Sequence, residues 1–327
     1  MQIWRSKPSP NYKTPLALTI GNFDGVHLGH QAILSRLKET ADKLGIAACV
    51  MTFEPHPREF FAPDQAPTRL TSFRKKMQQL ARLKVDYVRV YRFNYDFAKI
   101  SPETFIERIL NHELSVRWLL VGDDFRFGAR RAGNFALLKA LSAQNGFEVE
   151  KMPSFLIEKQ RVSSSHIRKL LETGDLLTAR RFLGRPFSIS GRVIDGEKLG
   201  KKLGFPTANI QIKHNRPPVS GIFAVNVFGT VQSDPSVVLP GVASLGVRPT
   251  VHKNGKPALE VHLFNFDQSI YGHHLQVDFL HKLRDEEKYP DLRTLTQQIK
   301  RDITQAKQFF NQAIDKNDFA IESCKKL

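Results

Sequence analysis

The chain of 327 residues is long enough for two ordinary domains, and 41% hydrophobic with 25% charged residues excludes a disordered or fibrous protein. No apolar run reaches bilayer length, "MQIWRSKPSPNYK" holds no signal core, and two cysteines, Cys49 and Cys324, exclude a disulfide framework, so a cytoplasmic protein without a membrane partner is expected. The net charge of +17 attracts anions without choosing between nucleic acid, anionic lipid and phosphorylated small molecules; residues 1–185 carry 30 Lys and Arg against 18 Asp and Glu.

Leu16–Ile20 is a short apolar run that ends at Gly21. After "GNFDGVHLGHQ", Ile33, Leu34, Leu37, Ala41 and Leu44 recur at helical spacing, with Gly45 as a C-terminal stop. "IAACVMTF" reads as a buried strand. "RKKMQQLARLK" and "VDYVRVYRF", then "SPETFIERILNHE" and "VRWLLVGDDF", repeat the helix–strand alternation, which predicts a parallel sheet with helices on both faces. The pattern changes at Gly184-Arg185-Pro186. From "FSISGRVIDG" onward, "GIFAVNVFG", "GVASLGV", "ALEVHLFNF" and "HLQVDFLHKL" are short, closely spaced β segments that predict a small antiparallel barrel. "PDLRTLTQQIKRDITQAKQFFNQAI" closes the chain as an amphipathic helix with Leu292, Leu295, Ile299, Ile303, Ala306 and Phe310 on one stripe. Two domains follow, residues 1–185 and 186–327.

Ligands bind beyond the carboxyl ends of a parallel sheet, where residues 21–30 fall. Gly21 and Gly25 let backbone approach a ligand closely. His27 and His30, three apart at a helix start, point the same way from a first turn whose free N–H groups already favour an anion. Two imidazoles there suit phosphoryl or nucleotidyl transfer, in which one phosphate attacks another without a nucleophilic side chain. A His-x-x-His pair alone also fits a surface or half a metal site. "GDDFRFG" (residues 122–128) ends another strand, and "RVSSSHIRKLL" (residues 161–171) places serines at a helix N-cap with Arg168 in the first turn, a second phosphate clamp.

In the second half, Gly200, Lys201, Lys202 and Gly204 make a flexible basic loop without the Walker pattern. "PTAN" adds the hydroxyl of Thr207 and the carboxamide of Asn209, hard oxygen donors on one face of an incipient strand that suit Mg²⁺. A kinase acting on an alcohol also needs a proton acceptor. Glu260 in "ALEVHLFNF" is a candidate, although Ala258, Leu259 and Val261 give no clean alternation there.

"GNFDGVHLGHQ", "FEPHP", "GDDFRFG" and "SSSHIR" resemble the nucleotidyltransferase module of bifunctional bacterial riboflavin kinase/FAD synthetases. "GKKLGFPTANI", "GIFAVNV", "SLGVRPTV", "LEVHLFNFDQSIYG" and "LRDEEKYPDLRTLTQQIKRDI" resemble the riboflavin kinase module, in family order and covering nearly the whole chain. The His-x-Gly-His element alone also resembles pantetheine-phosphate and nicotinamide-mononucleotide adenylyltransferases and class I aminoacyl-tRNA synthetases, but no "KMSKS"-like sequence is present. The resemblance implies a Rossmann-like nucleotidyltransferase domain and a six-stranded barrel with a C-terminal helix. It implies two ATP-dependent steps, riboflavin to FMN and FMN to FAD, with Mg²⁺. His27 and His30 would stabilise the α-phosphate of ATP, and Ser164 and Arg168 would hold the triphosphate. Gly21, Asn22, Phe23, Asp24, Asp124 and Arg161 would lie near the flavin or nucleotide. Gly200, Lys201, Gly204 and Pro206 would bind ATP or flavin at the kinase site, Thr207 and Asn209 would hold the metal, and Glu260 would be the general base. His56 of "FEPHP" reads as structural. The family usually has threonine where this chain has Ser165, so the clamp is expected to survive with altered packing. A nucleic-acid-binding protein is the competing reading; "RKK" and "ARR" are short, and no RNA-binding module is recognisable.

Overall fold

The computed structural model describes residues 1–5, 14–196, 198–212, 216–234, 236–247 and 257–315; residues 248–251 of "SLGVRPTV", Glu197, Cys324 and the rest of residues 316–327 lie outside the described residues. The chain forms two compact units: Met1–Pro67 with Lys76–Ser163, and Thr68–Lys75 with residues from Ser164 onward.

The first unit is built on β1 (Gln2–Trp4), β2 (Leu16–Ile20), β3 (Ala47–Glu54), β4 (Tyr87–Arg92), β5 (Val116–Gly122) and β6 (Glu148–Met152). They lie in the order β1-β4-β3-β2-β5-β6 with every pair parallel. All five residues of β2 are buried, as in a central strand covered on both faces. The chain runs outward from β2 through β3 to β4, then returns to β2's other side for β5, so the switch of direction falls between β2 and β5. That is where an open parallel sheet leaves a ligand crevice. In α1 (Leu28–Leu44), Leu34, Leu37 and Ala41 are fully buried, while Leu44, expected on the same stripe, is exposed beside the left-handed cap at Gly45. α2 (Pro57–Phe61), α3 (Phe73–Arg82) and α4 (Tyr95–Ala98) follow. The single helix expected over "SPETFIERILNHE" is instead α5 (Pro102–Thr104) running into a π-helix, Phe105–Glu113. Its buried pairs Phe105–Ile106 and Ile109–Leu110 repeat at a spacing that the wider turn keeps on one face. α6 (Phe135–Ser142) and a short hairpin, β7 (Leu156–Ile157) with β8 (Gln160–Arg161), complete the unit.

The second unit contains α7 (Ser164–Glu172), α8 (Leu176–Leu183) and a closed antiparallel barrel. Its strands are β9 (Phe187–Ile194), β10 (Ala208–Ile210), β11 (Gly221–Phe228), β12 (Val238–Val247), β13 (Pro257–Leu263) and β14 (His274–Arg284), closed in the order β10-β13-β12-β11-β14-β9. Phe223, Leu245, Leu259, Val261, Val277 and Phe279 are buried. α9 (Leu199–Lys202) is a single turn, and α10 (Leu292–Asp315) packs Ala306, Ile303 and Phe310 on Ala224 and Phe264. Leu292, expected on that stripe, is exposed because it opens the helix beyond this contact.

Candidate active sites

The first candidate site lies at the carboxyl end of β2. Past Gly21 the backbone turns through Phe23 (φ 49°), Gly25 and Val26 (φ 40°), and a positive φ at a β-branched valine is a strained conformation of the kind that collects at functional turns. His27 caps α1: its Nδ1 accepts the His30 backbone N–H at 3.2 Å. Use of Nδ1 as an acceptor leaves the neutral ring's proton on Nε2, as a donor. The two imidazoles stack with centroids 3.6 Å apart at 16°, so they act as one paired surface. Phe23 is 2% exposed with its ring 5.0 Å from His30, and Asp24 is also buried. Asn22, Phe23, Asp24, His27 and His30 are thus gathered on one turn, with Phe23 backing the histidine pair.

"GDDFRFG" leaves β5, the strand across the direction switch from β2. There Arg161 donates to Asp124 at 2.8 Å and to Asp123 at 3.5 Å, tying the β8 end of the hairpin to the β5 exit. Ser154 also donates to Asp123 at 2.7 Å, and this bond, with the Arg161 charge, holds the Asp123 carboxyl below its ordinary range. His56 is structural: it caps α2, accepting from Arg58 N–H at 3.1 Å in a capping box with Glu59. Beyond β3 and β4 lies an aromatic cluster that the sequence reading passed over. Phe60 sits 4.8 Å from Tyr95 and 5.6 Å from Phe93, and Phe61 sits 5.5 Å from Phe93. Phe61 is 64% and Tyr95 69% exposed, so flat ring faces are open to water.

Ser164 and Arg168 belong to the second unit. Ser164 opens α7, and Arg168 is the fifth residue of that helix rather than part of its first turn; its Nε donates to the Thr68 carbonyl. Ser165 is exposed on α7, so the methyl it lacks relative to threonine removes nothing from the core and does not alter the packing expected there.

The second candidate site lies on the barrel's outer face. Along β13 burial alternates, with Leu259, Val261 and Leu263 inward and Glu260 and His262 outward. The alternation that the sequence obscured is regular because Ala258 is merely a small outward residue. Asn209 on β10 pairs in register with Glu260, which also faces Ser244 on β12. The Thr207 hydroxyl lies 3.5 Å from Glu260 Oε2. Thr207, Asn209, Glu260 and Ser244 therefore form a polar row across three strands. His262 Nδ1–H donates to the Pro206 carbonyl at 2.9 Å, which steadies the segment entering β10. The basic loop is partly helical: Gly200 lies inside α9, and its carbonyl accepts Phe205 N–H at 2.8 Å where a Cβ on Gly200 would lie 2.5 Å from the Phe205 oxygen. Lys201 and Gly204 remain exposed.

A further carboxylate reaches this row. Ser244 Oγ donates to Glu286 Oε1 at 3.3 Å, and Glu286 occupies the space a side chain on Gly246 would fill. Burial, with a contribution from the Glu260 charge, raises the Glu286 carboxyl above its ordinary range. Its only sequence signal was its place in "LRDEEKYP". Among the described residues no cluster of three or more His, Cys, Asp or Glu could hold a metal. The oxygen donors of Thr207, Asn209 and Glu260 nonetheless suit a hard cation completed by phosphate oxygens.

Known proteins match both halves. A family model described as FAD synthetase matches residues 9–166, and one described as riboflavin kinase matches residues 183–310. The bifunctional riboflavin kinase/FMN adenylyltransferase of Haemophilus influenzae is 47% identical over 90% of this chain and 94% of its own. Its Escherichia coli K12 counterpart is 45% identical over 90% and 92%. A solved structure of a macrolide-efflux protein from Streptococcus pneumoniae is similar with a TM-score of 0.77 at 25% identity, over 92% of this chain and 97% of that one. No described helix is long and apolar enough to cross a membrane. Two family models in order and relatives matched along nearly their whole length place the chain in the bifunctional riboflavin kinase/FMN adenylyltransferase family.

Proposed function

We propose that the chain phosphorylates riboflavin to FMN with ATP on the barrel and adenylylates FMN to FAD with ATP at the parallel sheet. Residues 186–327 would carry the first activity and residues 1–185 the second. The observation that carries the reading is that each matched region holds its own site with chemistry suited to its reaction.

In the kinase step, Glu260 accepts the proton of the ribityl 5′-hydroxyl as that oxygen attacks the γ-phosphorus and ADP leaves. Thr207 and Asn209 orient the phosphates, together with Gly200, Lys201, Gly204 and Pro206 around them. Bound Mg²⁺, held by Thr207 and Asn209, would neutralise phosphate charge. In the adenylyl step, an FMN phosphate oxygen attacks the α-phosphorus of ATP, the bond to the β-phosphate's bridging oxygen breaks, and pyrophosphate leaves. The attacking phosphate is already an anion, so no base is required. His27 donates Nε2–H to the α-phosphate oxygens, with His30 beside it, as charge develops there. Gly21, Asn22 and Asp24 shape the turn that receives the nucleotide. Ser164 and Arg168 bind triphosphate oxygens, and Asp124 with Arg161 borders the flavin or nucleotide. Phe61 and Tyr95 offer ring faces on which a flat isoalloxazine can stack. The +17 charge suits substrates and products that are nearly all anions. The ATP demand of both steps makes the cytoplasm the compartment of this proposal.

The test is incubation of the protein with riboflavin, ATP and Mg²⁺ and chromatography of the flavins over time. FMN followed by FAD is expected; FMN alone removes the adenylyl step, and no conversion by folded protein removes the reading.

A further inference from the structure

Lys76 is a buried cation that neither reaction as written employs. It is 7% exposed and shares the core face of α3 with Met77 and Leu80. A methionine or leucine would fill that position without taking an ammonium out of water, which is costly unless the charge is used or closely solvated. Its ammonium reaches one particular place. Nζ donates to the Asn22 carbonyl at 3.0 Å and to Thr52 Oγ1 at 3.3 Å, and the Thr52 hydroxyl lies 3.3 Å from the same carbonyl. Thr52 is fully buried on β3.

The Asn22 carbonyl is thus gripped from two directions immediately past Gly21, where the chain leaves β2. From there the backbone passes through the positive φ values at Phe23 and Val26 to His27, whose ring caps α1 and stacks on His30. A turn with two strained residues keeps its shape only where its ends are fixed. The grip on Asn22 fixes one end, and the His27 cap fixes the other. Asn22 Oδ1 is buried and accepts no hydrogen bond among the described residues, so the grip falls on the backbone.

We propose that Lys76 is a positioning residue for adenylyl transfer: through the Asn22 carbonyl its ammonium sets the turn that aims His27 and His30, and it places a fixed positive charge beneath that turn. This rests on the adenylyl-transfer reading of residues 21–30. Transfer between ATP and FMN crowds several phosphates together, and a charge already held in place by the fold stabilises them without reorganisation.

The test compares full-length protein with Lys76→Met and Lys76→Arg. Lys76→Met fills the same space with an apolar chain, so its thermal midpoint is expected to equal or exceed the parent's, and riboflavin phosphorylation to be unchanged. The kcat for FMN adenylylation is expected to fall about 100-fold, the scale of losing one preorganised electrostatic group, and pyrophosphate, titrated alone, to bind about tenfold more weakly. Lys76→Arg keeps the charge and is expected to recover at least a tenth of the parent kcat. A merely structural lysine would move the midpoint and leave these readouts alone. Adenylylation by Lys76→Met within threefold of the parent overturns the proposal, as does a Lys76→Arg protein no better than Lys76→Met. If Lys76→Met unfolds the sheet, Lys76→Gln, which keeps a donor without the charge, is judged by the same thresholds. A parent that makes FMN but never FAD overturns the adenylyl-transfer reading itself. In the proposal's own failure the parent makes FAD and Lys76→Met does so equally well.

Discussion

Asp278 lies on β14, where burial pushes its carboxyl up to about 6 despite Lys75, Arg180 and Arg185 nearby. Gln276 Nε2–H donates to its Oδ1 at 2.7 Å, and Lys75 donates to the Gln276 carboxamide. An acid whose pKa is higher in the fold than in the unfolded chain is held neutral by folding. It carries no cost below its unfolded pKa of about 4, an increasing cost as pH rises toward 6, and a constant one above that, here about 3 kcal/mol at most. Asp278→Asn keeps the Oδ1 acceptor and removes the charge. Thermal unfolding at pH 7.5 should show the variant several degrees more stable than the parent, and the difference should vanish near pH 4. An equal difference at both pH values would mean that ionisation is not its origin. Neither Asp278 nor Lys76 was legible in the sequence, because in one dimension "RKK" and "VDF" read as solvated charge; only the fold takes Lys76 out of water while leaving Arg74 in it. His27 and His30 were legible because glycines, a strand end and a helix start coincide around them.

Asp302 is the polar anchor of α10. It is 3% exposed and accepts two parallel hydrogen bonds from Arg284, at 2.8 and 2.7 Å, and a third from Gln298 at 2.9 Å. Arg284 ends β14, so the pair fixes the helix to the barrel just before the segment that carries Glu286. Removing one partner of a buried pair strands the other charge, at a cost of about 3–5 kcal/mol. Asp302→Ala should therefore lower stability in urea by that amount and weaken riboflavin phosphorylation, through the drift of Glu286 from Ser244; an unchanged urea midpoint would show that the pair is solvated. The helix itself was legible from its stripe of Leu295, Ile299, Ile303, Ala306 and Phe310, and so were the sheet strands, whose apolar runs are bounded by clear turn residues. The π-helix at Phe105–Glu113 was not, since an apolar spacing of four is shared by α and π turns and the choice is made by packing. Outward Glu260 was obscured by its small neighbour Ala258, although register places it opposite Asn209 and Ser244.

At the scale of the whole molecule, the two reactions share a metabolite and little else. Glu260 and His30 stand in different compact units, each within a hydrogen-bonded frame of its own. FMN is the product of one site and the substrate of the other, so a chain that has lost one activity still makes or consumes it. Glu260→Ala should convert supplied FMN to FAD while leaving riboflavin untouched. His30→Ala should accumulate FMN from riboflavin and make no FAD, since loss of an electrostatic donor at the transferred phosphate costs about 100-fold or more. Mixed in equal amounts with riboflavin and ATP, the two variants should form FAD after a lag in which free FMN rises, because FMN leaving one chain can enter another. The lag should shorten in proportion as the His30→Ala share is raised, and chromatography at successive times measures it. FMN that accumulates in the mixture without becoming FAD, while Glu260→Ala alone still adenylylates added FMN at that concentration, would contradict independent sites joined by diffusion. Loss of both activities in either folded variant would show that the chemistry is not divided between the barrel and the sheet.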